Sequence, residues 1–289
     1  MSFPNFTTKD YLVSQEEFQL IYDSELDMYK TSPVPNNLGR YYESENYISH
    51  TDSTKSVIDY LYSYVKIFTL TSKLNLIQQY AQQEKSLLDM GAGTGDFLAI
   101  ANKNQWKIAG VEPNENARTI AKKKEISLHS TLEEITNQFE VITLWHVLEH
   151  LPNLEKDIHQ IKSKLKKDGT LIIAVPNFKS YDAEYYKEYW AAYDTPRHLW
   201  HFSQNSIKKI FRKYNLKVIE TKPMYFDSFY VSFLSEKHKT KKNNYFKAFM
   251  VGLSSNIKAR RTREYSSLIY ILKSDKKIDF KATHYLKTS

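Results

Sequence analysis

The apolar positions of this chain change period several times, and each change marks an element. Residues 54–83 carry Val57, Leu61, Tyr64, Val65, Phe68, Leu74 and Ile77 at roughly helical spacing, which predicts one long amphipathic helix. Short apolar runs then alternate with helical stretches. Strands are expected near 86–90, 107–111, 126–129, 140–145 and 170–175, with helices near 95–104, 114–124, 131–136 and 153–167. Beyond them come a helix near 204–214, a strand at 216–220, a basic helical stretch over 225–265 and a last strand at 266–272. Strands that are apolar throughout and separated by helices belong to a parallel sheet covered on both faces. Residues 1–53 show weak periodicity, with many Tyr, Asn, Ser and Pro and a loop at 31–37. The expected organisation is an N-terminal extension over 1–53 and one α/β domain over 54–289, with a basic helical insertion at about 225–265.

One stretch organises the rest. Ser86-Leu87-Leu88-Asp89-Met90-Gly91-Ala92-Gly93-Thr94-Gly95-Asp96 reads as a buried strand, a glycine turn and the start of a helix. Three of the chain's seven glycines fall within five positions, where a ligand can approach the main chain and the next helix offers its N–H groups. The spacing Gly91-x-Gly93-x-Gly95 differs from the G-x-G-x-x-G of dinucleotide-binding folds. Asp89, two positions before the first glycine, would repel a pyrophosphate and suits a cationic ligand. Glu112 closes the next strand, 17 residues past Gly95, near the spacing at which an acid meets a ribose diol.

Composition narrows the chemistry. The chain has 289 residues, 41% apolar and 26% charged, as in ordinary globular proteins, and no apolar run long enough to span a membrane. No signal or transit peptide is recognised at its start. It has no cysteine, which removes disulfides, thiolate ligands, a covalent cysteine adduct and a cysteine-ligated iron–sulfur cluster, and which fits the cytoplasm. The net charge of +8 is uneven: residues 231–289 carry 14 lysines and arginines against 4 acids. That segment reads as a solvated helical face, with nucleic-acid binding as the less favoured alternative.

The glycine turn with Asp89, together with Gly110-Val111-Glu112-Pro113, resembles motifs I and II of the class I S-adenosylmethionine-dependent methyltransferases, of the methyltransferase-23 or ubiquinone-type O-methyltransferase kind. Residues 139–151, ending Trp145-His146-Val147-Leu148-Glu149-His150-Leu151, and 168–177 look like that family's fourth and fifth strands. The resemblance covers roughly residues 84–220. It implies a Rossmann-like seven-stranded sheet of order 3-2-1-4-5-7-6 with strand seven antiparallel and helices on both faces. It also implies S-adenosylmethionine as cofactor, with the turn and Asp89 at the methionine portion and Glu112 at the ribose. Cofactor-binding candidates are Asp89, Gly91, Ala92, Gly93, Thr94, Gly95, Glu112, Pro113, Thr131, Trp145 and His146. Trp145 either covers the cofactor or packs in the core.

Methyl transfer from a sulfonium needs alignment of nucleophile, carbon and sulfur, and removal of a proton when the acceptor is a hydroxyl. His146 and His150 share a helical face at i, i+4, and either is a candidate base. With Glu149 they make too thin a ligand set to read as a metal site, so no metal is expected. The cluster Tyr193-Asp194-Thr195-Pro196-Arg197-His198-Leu199-Trp200-His201 should hang over the donor. There Arg197 would grip a substrate anion and His198 or His201 would take a proton, unless Asp194 and Arg197 merely staple the loop and the aromatics pack on the sheet. Tyr41, Tyr42, Tyr47 and His50 either form a lid or pack on the sheet. The expected function is methyl transfer to a hydroxyl or amine of a small-molecule acceptor. The alternative is an RNA or protein methyltransferase using the basic region.

Overall fold

The computed structural model describes residues 4–42 and 57–275. Its first surprise is that part of the N-terminal extension is a sheet. Strands β1 (Phe6–Lys9), β2 (Glu17–Asp23) and β3 (Met28–Ser32) form an antiparallel meander. In β2 the residues alternate, with Phe18 and Leu20 buried between exposed Glu17, Gln19 and Ile21, so this strand covers something on one side only. The rest of the segment read as a lid, including Tyr47 and His50, lies outside the described residues.

The long helix is α1 (Val57–Gln78), and after it strands and helices alternate. These are β4 (Ser86–Met90), α2 (Asp96–Lys103), β5 (Lys107–Val111), α3 (Glu115–Lys122), β6 (Phe139–Trp145), α4 (Leu154–Ser163) and β7 (Leu165–Pro176). Next come α5 (Tyr181–Tyr186), β8 (Trp200–His201), α6 (Gln204–Arg212) and β9 (Leu216–Pro223). The basic stretch is two helices, α7 (Asp227–Thr240) and α8 (Tyr245–Thr262), and β10 (Ser267–Ser274) ends the chain's described part. Helix α4 stops at Ser163 instead of continuing to 167, because the chain enters β7 at once, with Leu165 beside Phe139 of β6.

The large sheet has six strands in the order β5-β4-β6-β7-β10-β9. The first four run parallel, and β10 lies antiparallel between β7 and β9. The expected seventh strand, at 126–129, is not one. It contributes only a bridge between Val111 and His129, held by His129 N–H to Gly110 O and Glu112 N–H to His129 O, both 2.9 Å. The chain then turns away, because Thr131 and Glu134 cap each other's backbone in a single turn of 3-10 helix.

Alternate residues of the central strands face opposite layers. Leu87, Val141 and Ile172 pack with Leu74, Ile77, Phe97 and Leu98 of α1 and α2. Leu88, Ile142, Leu144 and Ile173 pack with Ile158, Ile161, Ile207 and Ile210 of α4 and α6. A third cluster is aromatic: Tyr29, Phe178, Tyr186, Trp190 and Tyr193 join the meander to α5, α7 and α8. The meander is tied down through β8, where Tyr29 lies opposite His201 and Lys30 opposite Trp200. No helix among the described residues is long and apolar enough to cross a membrane.

Candidate active site

The glycine turn lies at the carboxyl end of β4, beside the end of β5. Gly91, Gly93 and Gly95 all have positive φ, at 64°, 53° and 76°. Two of them answer different needs. A Cβ on Gly91 would come within 2.5 Å of Val147, so the turn packs tightly against the segment after β6. A Cβ on Gly93 would meet no described atom within 4 Å, so the main chain there borders open space. Ala92 N–H donates to Val111 O at 2.9 Å and stitches the turn to β5. Glu112 completes the arrangement: Oε2 accepts from Gly93 N–H at 2.8 Å and Oε1 from Asn114 N–H at 2.9 Å. Those contacts fix the carboxylate at the rim and leave each oxygen a further lone pair.

The neighbours expected at the rim divide. Thr94 Oγ1 donates to Asp96 at 3.1 Å, and Pro113 is exposed, its carbonyl taken by Arg118 at 2.6 Å. Thr131 is exposed and occupied in its cap.

Asp89 projects from the end of β4 and is 3% exposed. Thr143 Oγ1 donates to its Oδ1 at 2.6 Å. Burial pushes the carboxyl up to about 7, although Thr143 and the Lys73 ammonium pull it down. Lys73 was not foreseen. It reaches from α1 over the ring of Trp145, 4.6 Å from the centroid, and burial lowers its pKa against the pull of Asp89 and Asp227. The signal was available: Lys73 sits on the apolar stripe of α1, beside Leu74 and between Leu70 and Ile77. Trp145 packs edge-on to Phe97 at 5.9 Å, and its buried Nε1 has no hydrogen-bond partner among the described residues. A cation thus already rests where an acid and an aromatic face converge.

His146 follows in the left-handed region, φ 57°, an uncommon conformation for a non-glycine residue, with its N–H bonded to Ala174 O at 2.9 Å. Its Nε2 is 3.2 Å from Asp227 at the start of α7 and its Nδ1 is 3.4 Å from Glu149. Burial alone would lower its pKa, but the two carboxylates overcome that and push it up to about 10. It is therefore an imidazolium near neutral pH and a poor base. His150, not on the same partners, is held neutral: burial and the nearby His198 lower it to about 4. The i, i+4 pairing expected for these two histidines is absent, because Leu148–His150 form a separate 3-10 turn and not a continuing helix.

Arg197 is the staple and not the substrate grip. It is 1% exposed, with Nε and Nη2 donating to Asp194 at 2.6–3.1 Å, Nη2 also to Asp10 at 2.9 Å and Nη1 to Tyr41 O at 3.1 Å. It pins the meander to the aromatic loop. Asp194 and Asp10 would both rise on burial; Arg197 holds Asp194 below the ordinary carboxylate range, and at Asp10 the Ser14 main-chain N–H and then Arg197 do the same. His198 is 9% exposed, its Nδ1 2.8 Å from Ala192 O and its ring edge-on to His150 at 4.5 Å. Tyr42 OH lies 3.1 Å from His150 Nδ1, and Tyr41 is buried.

A family model described as a methyltransferase domain matches residues 65–221. Among curated relatives, the ubiquinone biosynthesis O-methyltransferase of Actinobacillus pleuropneumoniae is 32% identical over 122 residues, covering 36% of this chain and 52% of that protein. An uncharacterized methyltransferase of Bacillus mycoides is 31% identical over 109 residues, covering 34% and 50%. The chain thus spans about half the length of these curated relatives. In fold it is similar to magnesium protoporphyrin IX methyltransferase from Synechocystis, solved with bound S-adenosylhomocysteine, with a TM-score of 0.54 and 13% identity, covering 81% of this chain and 96% of that one.

Proposed function

The chain belongs to a methyltransferase-domain family, and from that premise we propose that it transfers the methyl group of S-adenosylmethionine to a hydroxyl or amine of a small molecule. The observation that carries this reading is the pair of carboxylates, Asp89 and Glu112, on either side of a glycine turn whose Gly93 borders open space. Burial raises the Asp89 carboxyl against the pull of Lys73, and that lysine rests on the Trp145 ring, whose Nε1 has no partner among the described residues. These residues fit a donor that carries ammonium, sulfonium and a ribose diol together. When bound, S-adenosylmethionine supplies an electrophilic methyl carbon that needs no further activation.

The protein's own residues then have three tasks. Asp89 holds the cationic methionine portion, which draws its proton off, and Lys73 must leave the Trp145 face or turn toward the donor's carboxylate. Glu112 accepts from the ribose hydroxyls while Gly93 N–H keeps it oriented. The imidazolium of His146, held between Asp227 and Glu149, ties the turn after β6 to the start of α7 and so positions that rim.

The RNA or protein reading is weaker for a specific reason. Several basic side chains of α7, α8 and the turn between them already lie over tyrosine rings: Lys239 and Lys247 over Tyr185, Lys241 over Tyr11 and Lys258 over Tyr181. These four cations already have a partner within the protein, which lowers their share in any face offered to an anionic polymer. The test is calorimetric titration with S-adenosylhomocysteine, followed by an acceptor screen with labelled donor. One-to-one binding and label transfer to a small hydroxyl or amine compound are expected. Absence of binding would refute the cofactor assignment, and salt-sensitive transfer to RNA alone would replace the acceptor assignment.

A further inference from the structure

The geometry points to a second ligand site beside the donor cleft: Glu149, His150 and His198 form a three-ligand site for a divalent cation of the zinc type. Two of these residues adjoin in the turn after β6, and the third comes from the loop after α5. One potential ligand atom from each lies within 4.8 Å of the other two. Sequence spacing pairs His150 with His146, but the fold turns His146 toward Asp227 and brings His198 in its place.

Three features make this a built site and not a chance cluster. First, Glu149 is 1% exposed, and among the described residues neither carboxylate oxygen has a hydrogen-bond partner; its one ion-pair contact, His146 Nδ1, is long at 3.4 Å and shared with Asp227. A buried carboxylate without such bonds is costly, and a coordinated cation removes that cost. Second, both imidazoles are aimed from behind. His150 Nδ1 is 3.0 Å from Arg197 O, and His198 Nδ1 is 2.8 Å from Ala192 O. A carbonyl can only accept, so each Nδ1 carries the hydrogen and each Nε2 presents a lone pair; the tautomers follow from this bonding. Backing of a metal-bound histidine by a carbonyl is how such ligands are usually oriented. Third, the competing acid is committed. Asp194 lies 3.9 Å from His198 Nε2 but bonds Arg197.

The ligand set is two imidazoles and one carboxylate, with no sulfur in a chain that lacks cysteine. It matches the three protein ligands of an open zinc site and excludes the thiolate-rich closed type. A bound ion would clamp the β6 turn to the aromatic loop. The inference does not depend on the identity of the methyl acceptor or of the donor.

The test uses the full chain, stripped with chelator and titrated with Zn2+ against a chromophoric competitor. One ion per chain is expected, with affinity falling at least about tenfold in His198→Ala and in Glu149→Gln and unchanged in His159→Ala, which alters an exposed histidine. Because the first two variants alter buried side chains, zinc-edge X-ray absorption of the wild-type protein supplies an independent reading. Scattering from two imidazoles and otherwise oxygen supports the site. Failure of the wild type to retain zinc at micromolar concentration, undiminished binding in His198→Ala, or a spectrum with a single imidazole would each overturn it.

Discussion

Two buried ionic centres divide the labour in this molecule. Around Arg197 the hydrogen bonding is dense: one guanidinium meets two carboxylates and a carbonyl, and both acids are held ionised. Around Asp89 the books do not balance. One carboxylate receives a single hydroxyl, its companion Lys73 rests on an aromatic ring, and burial lifts the acid toward neutrality. Burial is comparable, 1% for Arg197 and 3% for Asp89. The lesson is that compensation, more than depth, separates a staple from a binding site. A satisfied network orders the chain, and an unsatisfied one waits for a ligand.

The sharpest break comes at the staple. Arg197→Met leaves Asp10 and Asp194 buried without their cation, and removing one partner of a buried pair costs about 3–5 kcal/mol. Urea denaturation should show that loss. A change below about 1 kcal/mol would mean that the two centres do not differ in the way their hydrogen bonding indicates.

At the other centre the signs reverse. Asp89→Asn should leave stability equal or higher near neutral pH, and should weaken S-adenosylhomocysteine binding by about 1–3 kcal/mol, the range for hydrogen bonds to charged groups. Glu112→Gln should lose less, since its oxygens also serve Gly93 and Asn114 N–H groups. Calorimetry on both variants separates these outcomes, and wild-type affinity in Asp89→Asn would defeat the assignment.

The pH dependence sharpens the contrast further. The folded carboxyl of Asp89 lies above its unfolded value, near 7 against the ordinary 3.8. Its protonated form is therefore the favoured one in the free protein. The stability that this brings is fully present below the unfolded pKa and is lost as pH rises through about 7. Ligand binding runs the other way, because the ammonium group needs the carboxylate. Wild-type affinity should fall as pH drops from 8 to 6, by at most about tenfold per unit, and Asp89→Asn should be flat over the same range.

What the sequence disclosed follows the same line. Asp89, the three glycines and Glu112 lie close together in the chain, and their chemistry is local, so the strand, turn and acid were legible. The role of Arg197 was open, because its partners Asp10 and Tyr41 lie more than 150 residues away. The meander was missed although Phe18 and Leu20 alternate with polar Glu17 and Gln19, because Tyr, Asn and Pro nearby read as loop. The strand expected at 126–129 reduced to one bridge, since a cap at Thr131 is a local signal that outweighs a short apolar run.

The smallest expected effects lie within the glycine turn, and they test whether Gly93 faces a ligand or merely turns the chain. An alanine in the left-handed region costs about 1–2 kcal/mol wherever it stands. At Gly93 no other clash is added, because no atom of the described residues lies within 4 Å of the new methyl. At Gly91 the added methyl also meets Val147 at 2.5 Å, so Gly91→Ala should lose clearly more stability than Gly93→Ala. For ligand affinity the order should invert. The methyl of Gly93→Ala enters the space the donor needs and so weakens S-adenosylhomocysteine binding beyond what its modest stability loss explains. Equal affinities in Gly93→Ala and wild type, measured by calorimetry at a temperature where both are folded, would place the ligand away from this turn.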